Sequence, residues 1–420
     1  MASDERSEHD AQAFATVAVH GGEHRRQPFG AVVSPVFNSS TYGFETFDEM
    51  RRYARGELSE SYFYSRYGNP TVAEVERKIA LLENGESAVV TASGSAATFC
   101  ALAALCEAGD EIIACDSIYG GTIKILTEVL SRFQISARFI SINEVTRLPE
   151  LRTERTRVFW FESPANPINR LVDLEVAARA AREAGIFSII DSTFATPVLQ
   201  RPLSFGIDAV MHSATKYFGG HSDLTAGVVV GTSDYIKRVR RIGLLTGATL
   251  DPSAAYLLGR GLKTLDVRVR ATCENALRLA RALAEHDSIA RVYYPGLEES
   301  PDYSLAKRQM NSLGGGVVAA DLVGGEAEVE RFFDALQLVK NASSLGGVET
   351  LVSYPLYSSH YGFSDEQLRA AGVSAATVRF ALGIEDASDI IADVTQALNK
   401  SRSQESESRS QNTRLQSASF

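Results

Sequence analysis

No apolar run in this 420-residue chain approaches the ~18 residues that carry a helix across a bilayer, so no membrane span is expected. The opening MASDERSEHDAQ is charged and lacks the apolar core of a secretory signal. Cysteine is scarce. The four present, Cys100, Cys106, Cys115 and Cys273, sit in apolar or helical segments with no CxxC spacing and no histidine beside them. That argues against a disulfide framework and a thiolate metal site, and fits reduced core residues in a cytoplasmic protein without a metal. Positive charge is also short, with 42 Lys and Arg against 52 Asp and Glu and a net charge of −10. A nucleic-acid binder would need a basic face, so no nucleic-acid partner is expected.

What is present is rhythm. From Thr71 to about Val230, strand-length apolar bursts alternate with helical spacing, the mark of a mainly parallel sheet between helices. SAVVT (87–91), EIIAC (111–115), ARFISI (137–142), RVFWF (157–161), FSII (187–190) and AVMH (209–212) read as strands. VAEVERKIALLE, AATFCALAALCEAG, TIKILTEVLSRF and LEVAARAAREAG read as helices between them. The expected organisation is α/β: a turn-rich N-terminal arm over 1–62 with its first dozen residues disordered, a large domain over 63–264, and a smaller α+β domain over 265–400. The serine-rich 401–420 is expected to be a disordered tail.

Ligands in an open α/β sheet gather at the carboxyl ends of the strands, and three polar clusters fall at such ends. Ser93, Gly94 and Ser95 open a helix, where backbone N–H groups can cradle a phosphate or simply make a turn. Asp191 ends FSIID, as a helix cap or as the partner of a protonated ring nitrogen. Ser213, Thr215 and Lys216 leave the AVMH strand. A serine three residues before a lysine also suits acyl transfer, but the SDN and KTG partners of that chemistry are absent. Phosphate cradle, then acid, then lysine describes a pyridoxal phosphate site, with Lys216 as the Schiff-base nitrogen. The glycines of GGGVVA (314–319) precede a strand-like run and not a helix, so they are no dinucleotide fingerprint.

From about His20 to Leu398 the chain resembles the Cys/Met-metabolism, or transsulfuration, family of pyridoxal phosphate enzymes. The likeness is carried by YSRYGNPT, SGSAA, DSTF, HSATKYFGGHSD, SSLGGVET and VRFALGIE. It implies fold type I of the pyridoxal phosphate enzymes, with Lys216 bonding the cofactor, Asp191 facing the pyridine nitrogen with Thr193 beside it, and Tyr119 stacking over the ring and moving protons. It implies Gly94, Ser95, Ser213 and Thr215 on the phosphate, and Tyr64 and Arg66 reaching the phosphate of a neighbouring subunit, hence a homotetramer with shared sites. Arg379 would grip the carboxylate of a small amino-acid substrate, with Ser344, Glu349 and Tyr119 nearby.

Within the family, methionine gamma-lyases generally carry a cysteine where this chain has Gly121. YGGT (119–122) and LGGVET are closer to cystathionine gamma-lyase and, next, cystathionine gamma-synthase. The expected reaction is therefore γ-elimination or γ-replacement, with cystathionine first and methionine or an O-acyl-homoserine after it. An aminotransferase on the same fold is disfavoured by the YSRYGNPT arm and the SATK order. The segment LVSYPLYSSHYGFS after Glu349 departs from the family's threonine-histidine pattern, and only Ser358, Ser359 and His360 partly match it. That places an unusual γ-substituent or incoming nucleophile among the expectations.

Overall fold

The computed structural model describes residues 12–58 and 61–417, with side chains described through 402. Disorder was expected in the first dozen residues, and residues 1–11 lie outside the described part. A seven-stranded sheet is built from β1 (Ser87–Thr91), β2 (Glu111–Cys115), β3 (Ser136–Ile140), β4 (Thr156–Glu162), β5 (Phe187–Asp191), β6 (Ala209–His212) and β7 (Gly227–Gly231). Its order is β1-β7-β6-β5-β4-β2-β3. β7 runs antiparallel to both neighbours, so β1 is again parallel to the rest and its carboxyl end lies on the same edge as those of β4, β5 and β6. Six of the seven strands coincide with the apolar bursts of the sequence to within a residue or two. β7, GVVVG, hides between glycines directly after the polar loop that follows Lys216.

Helices cover both faces of this sheet. Leu174–Ala184 shows why: Asp173 caps its start by accepting from the N–H groups of Glu175 and Val176, and Gly185 ends it in a left-handed turn. Its buried face is almost all alanine, which brings the helix axis close to a strand layer that already holds the fully buried Trp160. The four cysteines are buried and unpaired.

A second, five-stranded sheet follows, from β8 (Ile289–Tyr293), β9 (Val317–Leu322), β10 (Lys340–Asn341), β11 (Leu351–Ser353) and β12 (Thr377–Ala381), in the order β10-β11-β12-β9-β8. Gly314–Gly316 lead into β9, a strand, as the sequence indicates. The helix Leu265–Ala284 joins the two halves: Leu265, Val269 and Cys273 enter a core of the large sheet, and Ala276, Leu279, Ala280 and Leu283 enter that of the small one. The last helix runs Ala387–Ser417, past residue 400 into the segment expected to be disordered. Arg, Glu and Gln are good helix formers and neither Gly nor Pro interrupts that segment, so the backbone carries the helix on.

The arm is less irregular than its composition suggests. It holds the helices Phe14–His20 and Phe47–Ala54, both too short to show periodicity. The first is fastened by Lys78, whose buried ammonium donates to the carbonyls of Ala18 (3.1 Å) and Val19 (2.9 Å) and to Glu23 Oε1 (3.1 Å). Those bonds use all three ammonium protons, and Glu23 is held a second time by Lys263 at 2.6 Å. Replacing Lys78 by Met should cost roughly 3 kcal/mol, because it strands two helix-end carbonyls and weakens the hold on a carboxylate. Chemical denaturation would read the loss, and limited proteolysis should show earlier cleavage within residues 14–23.

Candidate active site

The carboxyl edge of the large sheet faces the small sheet across a cavity of about 1000 Å³. Its floor is made where the strands end. β1 leads through Ser93 into the helix Gly94–Ala103; the Ser93 hydroxyl accepts from the Ala96 N–H at 3.2 Å and caps the helix start. Gly94 is needed there: a Cβ would sit 2.9 Å from both Cβ and Oγ of Ser213, closing the gap between the helix start and the β6 loop. The hydroxyls of Ser95 and Ser213 have no hydrogen-bond partner among the described residues, and both line the cavity. Thr215 lines it too, but its hydroxyl is tied to Ala226, donating to the carbonyl (3.1 Å) and accepting from the N–H (3.0 Å). It therefore clamps the two sides of the loop between β6 and β7 together.

Asp191 ends β5, buried, and both hydrogen bonds it accepts fall on Oδ1, from the Thr193 N–H (3.0 Å) and hydroxyl (2.5 Å). Thr193 in turn accepts from the Ser213 N–H at 2.8 Å, so acid and lysine loop are joined through one hydroxyl. Next to Asp191 in strand register stands Glu162, at the end of β4. Its two oxygens accept from the N–H groups of Tyr119 (2.7 Å) and Asn166 (3.1 Å). Burial, and then the charge of Asp191, push the Glu162 carboxyl well above its usual range. Burial raises Asp191 as well, but its Thr193 bonds and His212 oppose the rise, so Asp191 is the one of the pair that ionises. Glu162 was not among the residues expected from the sequence, although an acid closing an apolar strand is the same signal that marks Asp191.

Lys216 donates to the Ser344 hydroxyl at 2.8 Å. Burial, and then the Arg379 charge, bring its amine down to about 8. Arg379, on β12, is buried with Nη1 on Asn166 Oδ1 and Nη2 on the Ser344 carbonyl, each at 2.8 Å, while Nε has no partner. His360 is also buried, its Nδ1 2.8 Å from the Ser359 hydroxyl; burial and Arg379 bring it down to about 4, so it is neutral. The Tyr119 ring is half-exposed and lies across Gly121, where a Cβ would come within 2.3 Å of its Cε1.

Ten of the residues expected from the sequence thus line one cavity: Gly94, Ser95, Tyr119, Asp191, Thr193 and Ser213, with Thr215, Lys216, Ser344 and Arg379. Three do not. Glu349 stands beside Ser222, its Oε2 3.4 Å from that hydroxyl. Tyr64 and Arg66 are on the exposed arm, where Arg66 donates to the Leu244 carbonyl at 3.1 Å. The donor set fits pyridoxal phosphate: a helix start and free hydroxyls for the phosphate, a carboxylate oxygen without an internal bond for the ring nitrogen, and an easily deprotonated amine.

A family model described as Cys/Met metabolism PLP-dependent enzyme matches residues 15–399. The L-methionine gamma-lyase of Pseudomonas putida is 41% identical over 390 residues, 92% of this chain and 98% of that protein. Among solved structures, cystathionine gamma synthase from Xanthomonas oryzae pv. oryzae, in complex with aminoacrylate and cysteine, superposes with a TM-score of 0.88 at 34% identity, covering 93% of this chain and 99% of that one. Cystathionine gamma-lyase from Lactobacillus plantarum, complexed with L-serine, gives 0.86 at 32% identity, covering 93% and 100%.

Only the neutral amine of Lys216 can attack the cofactor's aldehyde. Reconstitution of cofactor-free protein, followed by absorbance, should therefore quicken as pH rises and level off above about 8. Arg379→Met removes a neighbouring positive charge and should move that midpoint upward.

Proposed function

The chain belongs to the Cys/Met-metabolism PLP-dependent enzymes, and from that membership we propose that it catalyses γ-elimination on a sulfur-bearing or oxygen-activated amino acid. Water enters, and the γ-substituent leaves as a thiol from a sulfur-bearing substrate or as a carboxylate from an O-acyl one, alongside 2-oxobutanoate and ammonium. The observation that carries the reading is the half-buried Lys216 amine, held by Ser344 and lining one cavity with Asp191 and Arg379.

Bound pyridoxal phosphate supplies the electron sink for charge at Cα. The protein does the rest. Arg379, fixed by Asn166 and Ser344, orients the α-carboxylate, and ionised Asp191 keeps the ring nitrogen protonated. Lys216, brought down to about 8 and so about half neutral at that pH, takes the Cα proton, which it can return further along the chain. Tyr119, at the open side of the cavity, is placed to give a proton to the departing sulfur or oxygen. Elimination is supported by 41% identity to a methionine gamma-lyase, and cystathionine stays a first substrate on YGGT and LGGVET. Replacement by a thiol is the second reading, on the likeness to cystathionine gamma synthase. Tyr64 and Arg66, away from their own cavity, are read as completing that of a second copy in a homotetramer.

Incubation of holoenzyme with cystathionine, methionine, and O-acetyl-homoserine plus cysteine should yield 2-oxobutanoate. A replacement product without 2-oxo acid overturns elimination. Lys216→Ala should abolish turnover, and Arg379→Lys should lower kcat/KM by about tenfold to a hundredfold, mainly through KM, because the planar fork is lost. Mixing Lys216→Ala with Arg66→Ala subunits should restore a measurable part of the activity if sites are shared.

A further inference from the structure

Resting on the γ-elimination reading, the geometry points to a substrate class for this cavity: amino acids whose γ-substituent ends in a positive charge, an ammonium, guanidinium or sulfonium. The inner part of the cavity holds two basic groups beside the acid Asp191. Lys216 and Arg379 both line it, and Arg379 is 6% exposed with an Nε that has no partner, so a ligand carboxylate is called for there. The outer wall has the opposite sign. Glu326, Glu330 and Asp334 recur every four residues on the helix Glu326–Ala335, and all three line the same cavity. At that spacing they stack on one face, about 6 Å apart along the axis.

A helix start favours acid in its first turn, and that accounts for Glu326. It does not account for Glu330 and Asp334, which lie beyond that turn and repel one another along the stripe. Nor are they neutralised from within. Arg331, the basic residue of this helix, pairs with Glu328 on its buried side. Among the described residues Glu330 and Asp334 have no ion-pair partner, and Glu326 accepts only from the Tyr357 hydroxyl. That hydroxyl is raised by its bond to Glu326 and by the charges of Glu326 and Glu330. Tyr354 is pushed to about 12, by burial and then by Glu326. The field at the outer wall is thus negative. An extended amino acid with its α-carboxylate at Arg379 and a cation at its far end matches both signs; one ending in a carboxylate with no ammonium beside it meets repulsion.

Two isosteric probes isolate the charge: S-(2-aminoethyl)-L-homocysteine and S-propyl-L-homocysteine, which differ only in a terminal ammonium or methyl. For holoenzyme at low ionic strength the charged probe should have the higher kcat/KM by about fivefold or more, a preference that shrinks with added salt. The double substitution Glu330→Gln, Asp334→Asn should bring the ratio towards one. Calorimetric binding of both probes to cofactor-loaded Lys216→Ala protein, in which turnover is abolished, reads the same preference. A ratio at or below one, or a ratio unchanged in the double variant, overturns the inference. Charge-selective binding with no 2-oxo acid from either probe would leave it standing and sink the γ-elimination reading.

Discussion

Two cations share one buried wall. Burial and then the Arg379 charge lower the basicity of Lys216, and Arg379 itself falls to about 10 through burial. A site with two uncompensated positive charges would not hold together, and the two carboxyls at the ends of β4 and β5 settle the balance. Asp191 carries the negative charge, and the Glu162 carboxyl, raised by burial and by Asp191, organises the Tyr119 and Asn166 backbone with its two oxygens. Asn166 then passes the order on to Arg379 through its own side chain. The strand ends, the guanidinium and the tyrosine loop are thereby one hydrogen-bonded unit. A change in any member is felt by the lysine.

This unit requires the two sheets to keep a fixed relation, since Lys216 belongs to one and Arg379 to the other. The helix Leu265–Ala284 supplies it by burying consecutive turns in two different cores. Ser344 is the smallest bridge, accepting from Lys216 with its hydroxyl and from Arg379 with its carbonyl. Rigid elements thus set distances that loops alone would leave loose.

Much of this was legible in the residues. Strand-end acids and hydroxyls are visible because a parallel sheet sends every carboxyl end to one edge, so Asp191 and Lys216 can be placed without coordinates. Glu162 obeys the same rule, an acid closing an apolar strand, and the sequence carries that signal as clearly as it does for Asp191. Pairing across the cavity is another matter. That Arg379 rests on Asn166, 213 positions away, follows from how two sheets dock and leaves no local pattern. The acidic face of Glu326–Ala335 shows in the sequence as ordinary surface charge, and only its place on the cavity that Arg379 also lines gives it meaning. Thr215 carries a second duty that the SATK string does not show: besides lining the cavity, its hydroxyl holds a loop closed.

Gly121 carries a wider consequence. With no side chain of its own, it lends its space to the ring of Tyr119. Any larger residue would displace that ring, so the place of Tyr119 beside the cavity depends on an atom that this chain does not have.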